Sequence, residues 1–216
     1  MIGFWLASAG AAGLAAGTSG LALGLENVGA SDALARRLRA SPVNVFEAPI
    51  TRALGGEALP WFRMLGVEMP GAPLQLFTLE YDNRFLARWH PELAPAVAGI
   101  ARADVLTRYA ASLGALERHA QAAFADVSAV ELALDDAQEQ RVLAAFAAFA
   151  YEREGEGDAA VVHAPQFRLT LQRSPQPAGV TAVELTLRRE LTRAPLELGQ
   201  VRFEFRGRSA RLEVRR

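Results

Sequence analysis

The groups in this chain that could carry chemistry gather late in its first half. Glu80, Tyr81 and Asp82 stand together at the end of an apolar run, Leu74–Tyr81, and Trp89-His90-Pro91-Glu92 follows shortly after. Glu80 is a candidate general base, or a lone carboxylate that receives a cationic ligand. A histidine beside a tryptophan can hydrogen-bond to or stack on a planar ligand, which makes His90 and Trp89 candidates too. Upstream, Trp61-Phe62-Arg63-Met64 alternates as a strand does, placing Trp61 and Arg63 on one face and Phe62 and Met64 on the other. Trp61 and Arg63 then suit an aromatic or carboxylated small molecule, Tyr81 is a rim residue, and Phe62 and Met64 are core. Each candidate also has a structural use: Asp82-Asn83 is an ordinary turn, Trp89 a plug and His90 a turn cap.

The other two histidines carry less. His119 follows Arg118 on a helix and faces solvent, while His163 ends a strand near Pro165. The charged run Glu152–Asp158 reads as a solvated hairpin turn. The chain has no cysteine, which removes disulfides, thiolate nucleophiles and Cys-ligated zinc. It has no lysine either, every basic residue being Arg, so Schiff-base chemistry and a phosphate-loop lysine are excluded. No Gly-x-Ser-x-Gly occurs, and Ala9–Gly20 lacks the glycine spacing of a dinucleotide loop. A net charge of −1 provides no field for nucleic acid or an acidic membrane. The basic run Arg202–Arg216 alternates with Phe203, Phe205, Leu212 and Val214, the pattern of a hairpin with one wet face.

These residues need a scaffold. With 216 residues, 51% hydrophobic, the chain can bury a sizeable core. Its elements run in two similar passes. The first opens with strand Gly20–Leu25, followed by a helix over Asp32–Ala40 capped by Ser31 or Asp32 and stopped by Pro42. Val43–Ala48, a Gly55-Gly56 turn, Trp61–Glu68 and Leu74–Tyr81 complete it. Asp82–Ile100 reads as a connector and Ala103–Phe124 as a linker helix. The second pass opens with Val127–Leu134. A helix Ala137–Ala150 with Asp136 as cap follows, then strands Ala159–His163, Phe167–Gln172 and Val180–Leu187. Val201–Arg206, a turn at Gly207-Arg208-Ser209 and Arg211–Arg215 form a closing hairpin. The string Ala-Val-Glu-Leu occurs at Ala129–Leu132 and Ala182–Leu185, with Val and Leu on one face and Glu on the other. Met1–Leu25 carries no charged side chain. Ile2–Ala16 is read as a short folded helix, with a secretory signal or a start partway through a longer chain as alternatives.

The strand–acid–helix openings Gly20–Leu38 and Val127–Phe149, and the stretch Leu74–Pro91, resemble the vicinal oxygen chelate superfamily, specifically its glyoxalase-like domain proteins. The resemblance covers roughly residues 18–190 and rests on pattern. It implies an α+β fold of two tandem βαβββ modules (18–82 and 126–190) that form a curved mixed sheet around a cleft. A helical linker spans 83–125, and 191–216 is the C-terminal hairpin. Members of that family include metal-dependent isomerases, lyases and dioxygenases, and proteins that only bind a ligand. Their metal ligands come from the first and a late strand of each module. The matching positions here are Gly20 and Ala129, which cannot ligate, and Glu80 and Glu184. With those two ligands missing, the resemblance implies a metal-independent bacterial protein; the cytoplasm is the default location from the reading of Met1–Leu25. The protein would bind a small organic molecule in the inter-module cleft, with Glu80 and His90 as catalytic candidates. Trp61, Arg63, Tyr81, Trp89 and Glu184 would be ligand contacts. The alternative is an enzyme using a divalent metal ion. Neither nucleic acid nor membrane is an expected partner; a homodimer is expected, because open curved sheets leave edges.

Overall fold

The structure, a computed structural model, describes residues 2–6, 19–69, 74–89, 123–155, 159–164, 167–174 and 179–215. The chain divides into two compact units. One is built on Ala22–Glu68 and Leu76–Gln121, the other on Ile2–Leu21, Met69–Gln75 and Ala122–Arg216. The architecture is α+β: two sheets and three described helices. Among the described residues no helix is long and apolar enough to cross a membrane.

The first sheet has the order β1-β2-β5-β4-β3, from β1 (Ile2–Leu6), β2 (Ser19–Leu25), β3 (Val45–Leu54), β4 (Glu57–Val67) and β5 (Leu74–Tyr81). Ile2–Leu6 is thus a strand where a helix was expected; Ala7–Ala16 lies outside the described residues. Gly55 and Gly56 both take positive φ, 61° and 84°, between the paired Leu54 and Glu57. That is the two-residue turn whose twist matches a hairpin, and a side chain at either position would be strained. Helix α1 (Ala30–Arg39) buries Ser31, Leu34, Ala35 and Leu38, spaced three and four apart along one side. Arg36, Arg37 and Arg39 sit in its last turn, where positive charge complements the helix dipole. Helix α2 (Asn83–Trp89) replaces the start of the expected connector. Asp82 starts it, its Oδ1 accepting from the Arg84 N–H at 2.8 Å. Burial opposes ionisation of Asp82, but the Arg84 side chain and the Arg84 and Phe85 N–H groups together hold its carboxyl below the ordinary value.

The second sheet has the order β11-β12-β10-β6-β9-β8-β7. Its strands are β6 (Phe124–Leu134), β7 (Glu152–Glu154), β8 (Ala159–Ala164), β9 (Phe167–Arg173), β10 (Gly179–Leu191), β11 (Leu196–Leu198) and β12 (Val201–Val214). Only β6 and β9 pair in parallel; the other neighbours are antiparallel. Helix α3 (Asp136–Ala148) buries Val142, Ala145 and Phe146. Val130, Leu132, Leu134, Leu169 and Leu171 supply the buried face of the sheet. Phe124, expected at the end of the linker helix, starts β6 instead, and Ala123 before it is not helical; residues 103–122 lie outside the described residues.

The α3 cap is Asp135 rather than Asp136. Its side chain accepts from the Gln138 N–H, and the Gln138 side chain accepts from the Asp135 N–H, a reciprocal capping box. Asp135→Ala is expected to cost about 1 kcal/mol of stability, read as a lower midpoint in urea with an unchanged slope.

The closing hairpin also differs from expectation. Val201–Val214 is one continuous strand, and Gly207, at φ 63°, marks an irregularity in its pairing with β10 between Thr186 and Leu191. The turn lies earlier, at Gly199-Gln200 between β11 and β12.

The two passes share the element order strand, helix, strands, with a short extra strand, β7, in the second. Their strand orders differ. In the first sheet the opening strand β2 neighbours the last strand, giving β2-β5-β4-β3. In the second the opening strand β6 lies between the last strand and β9, giving β10-β6-β9-β8.

Candidate functional site

In the first unit, cross-strand register sorts side chains onto two faces. Arg63 pairs with Glu80, Leu65 with Thr78 and Val67 with Leu76. Leu65, Val67, Leu76 and Thr78 are buried, and this face is turned toward α1. Glu80 accepts the Gly29 N–H at 2.7 Å and the Ser31 N–H at 2.6 Å. Arg63 donates to Asp32 in α1 and to Glu47 in β3. Hydrogen bonds to Glu47 and then to Asp32 push the Arg63 guanidinium further above its ordinary value, and Arg63 in turn holds Asp32 down.

Glu80 therefore does local structural work. Gly29, the residue before α1, has φ 79° and no side chain to cap with. A carboxylate from β5 takes that role and meets the positive end of the helix. Asp32 pairs with Arg63 instead of capping, and Ser31 lies inside the first turn.

The opposite face, turned away from α1, has different chemistry. Its rows are Phe46–Gly66–Phe77, Ala48–Met64–Leu79 and Ile50–Phe62–Tyr81. Phe46 is 39% exposed, and Ala48, Ile50, Phe62, Met64, Phe77, Leu79 and Tyr81 are half-buried. These rows hold no acidic or basic side chain. The Phe62 and Tyr81 rings meet edge to face, with centroids 5.8 Å apart.

Trp61 breaks the expected alternation. Pairing shifts between Ile50 and Thr51, so Phe62 faces Ile50, Pro60 faces Thr51 and Trp61 is the extra residue of a β-bulge. The bulge brings the Trp61 ring within 4.6 Å of Phe62 rather than onto the face of Arg63. The Arg52 guanidinium lies over the indole at 4.8 Å. Trp61 and Arg63 thus separate, and Phe62 and Met64, read from the sequence as core, stand on the open face. Phe46, Ile50, Phe77 and Leu79 join them although no chemical signal marked them. Trp89 is the last residue of α2, and His90 lies outside the described residues.

In the second unit, Glu184 belongs to an ion network on the sheet face opposite Val130 and Val183. Glu184 pairs with Arg211 on β12 and with Ala129 on β6, and Ala182 pairs with Glu131 and Glu213. Arg211 grips Glu131 with two parallel bonds of 2.7 Å. It also donates to Glu184 at 2.7 Å and to Glu213 at 3.0 Å. The bond to Glu131 above all, reinforced by Glu184 and Glu213, holds Arg211 charged far beyond any working pH, against the effect of burial.

The donors named for the metal alternative are each otherwise engaged or lack a ligating group. Gly20 and Ala129 have no ligating side chain, Glu80 caps α1 and Glu184 is held by Arg211. Among the described residues no group of three or more His, Asp or Glu is placed to hold an ion.

Comparison with known proteins adds a family and no activity. No curated protein matches the chain. A crystal structure of a hypothetical protein from Staphylococcus aureus is similar over 83% of this chain and 60% of its own length, with 12% identity and a TM-score of 0.46. The family of unknown function DUF5829 matches residues 7–212, nearly the whole chain, and the chain belongs to that family.

Proposed function

We propose that this protein binds a small, uncharged aromatic molecule on the face of β3, β4 and β5 turned away from α1, without a metal ion. This keeps the expected kind of ligand and of protein, in the manner of the ligand-binding vicinal oxygen chelate proteins. It keeps Tyr81 and moves the other contacts to Phe46, Phe62 and Met64. One observation carries the reading: charge and exposure are inverted across the sheet. The face packed on the helix holds Arg63, Glu47 and Glu80 together with buried apolar residues, while the more open face is aromatic and uncharged. A half-exposed apolar sheet face is costly in water unless something covers it. Aromatic rings with a thioether among them suit a flat organic molecule.

Titration with N-phenylnaphthylamine, an uncharged dye that brightens in apolar sites, tests the proposal. Saturable binding is expected, weakened about tenfold by Phe62→Ala, the loss of one aromatic contact worth about 1.4 kcal/mol. Absence of binding by this dye and by a panel of indoles, quinolines and naphthols would refute the reading. So would concentration-dependent dimerisation abolished by Phe62→Asp, which would make a second copy of the chain the cover.

A further inference from the structure

We infer that Gly66 and Phe46 together set the shape selectivity of this face, the glycine by leaving room for the ring and the ring by serving as the platform on which the ligand stacks. The inference rests on the binding reading above.

Gly66 lies in the interior of β4, where its φ does not call for glycine. Its reason is steric. A Cβ built at residue 66 would lie 2.0 Å from Phe46 Cζ and 2.2 Å from Cε1. The tip of the Phe46 ring therefore rests directly on the Gly66 backbone, a closeness that any side chain would prevent. Phe46 is nonetheless 39% exposed, one of the few large apolar residues so open. It rests on backbone at its tip and is partly open to solvent. A rigid aromatic surface of that kind gives a planar ligand contact area at little entropic cost. The rows from Ala48–Met64–Leu79 to Ile50–Phe62–Tyr81 are uncharged, so the matching ligand carries no formal charge over that part of the face, while on the far side of Gly66 the face ends at Asn44 and Glu68.

A ring lying over a strand glycine also shields backbone and can be purely structural. The two roles separate in the variants Gly66→Ala and Phe46→Leu. Gly66→Ala suits a strand backbone and requires only the far end of the Phe46 side chain to swing away. Phe46→Leu keeps an apolar group and removes the flat surface. With N-phenylnaphthylamine, both should weaken binding about five- to tenfold. Asp135→Ala, a destabilising change in the other unit, should leave affinity unchanged. Wild-type affinity in both face variants, together with the loss expected for Phe62→Ala, would overturn this inference and leave the binding reading standing. No binding by the wild-type protein would overturn the binding reading itself. Loss of affinity in Asp135→Ala equal to that in the face variants would also sink the platform role, by tracing the effect to stability alone.

Discussion

Arg211→Met is expected to lower the unfolding free energy by about 2–4 kcal/mol at pH 7, the largest single effect foreseen outside the hydrophobic core. Removing one partner of a fully buried ion pair costs about 3–5 kcal/mol, because the remaining charge is left without compensation. The Arg211 cluster lies below that figure, since its side chains keep some contact with water. Three carboxylates from three adjacent strands, Glu131, Glu184 and Glu213, would then face one another without their common cation. Their mutual repulsion then opposes folding until acid neutralises them. The deficit of the variant should therefore be greatest at neutral pH and shrink in acid. Urea unfolding of both proteins at a series of pH values checks this. A deficit that does not change with pH would assign the loss to packing of the arginine stem. Arg211→Lys should recover little, because an ammonium cannot grip Glu131 with two parallel bonds while reaching two further carboxylates.

That network shows what a sequence can and cannot disclose. The repeated Ala-Val-Glu-Leu strings were visible, as was the division of Val and Leu from Glu. Their relation in space was not. The strings lie antiparallel on neighbouring strands, Val130 against Val183 and each Glu opposite the other's Ala. Both glutamates consequently reach Arg211, which sits on a third strand 27 residues beyond the nearer one. Pairing of this sort depends on strand order, and alternation within one strand carries no information about it.

The strands themselves were legible wherever a buried face imposed alternation or a run of β-formers. Leu74–Tyr81 has the predicted bounds, and β6, β8, β9 and β10 contain the predicted segments. Departures came where one extra residue or one distant partner decided the outcome. The bulge at Trp61 needs two residues on β4 to oppose one on β3, so Trp61 and Arg63 part company despite their spacing. Gly207 looks alike as a turn glycine and as the site of an irregularity inside a long strand. The aromatic face was the hardest to see. Phe62 and Met64 read as ordinary core in a strand, nothing singled out Phe46 or Phe77, and only register with Arg63 and Glu80 tells which side α1 leaves open.

Glu80 provides the second large expectation and the sharpest contrast with its sequence reading. As a catalytic candidate its replacement would alter turnover and leave the fold intact. The geometry leads to the reverse. Glu80→Ala should cost about 2–3 kcal/mol, because the Gly29 and Ser31 N–H groups lose their acceptor together and the α1 dipole loses its counter-charge. A helix of ten residues has no stability of its own to absorb such a loss. Glu80→Gln retains one acceptor oxygen without the charge and should fall midway, at about 1 kcal/mol. Amide hydrogen exchange locates the effect: faster exchange should be confined to α1 and its preceding loop, with β6–β10 unchanged. Uniform loosening of both units, or none, would remove Glu80 from the helix cap. The signal was beyond local sequence because the acceptor lies 51 and 49 residues from the donors it serves. Ser31 and Asp32, which read as ordinary caps, hid the need: the helix starts earlier, after Gly29, which has no side chain to cap with and so takes a partner from elsewhere in the fold.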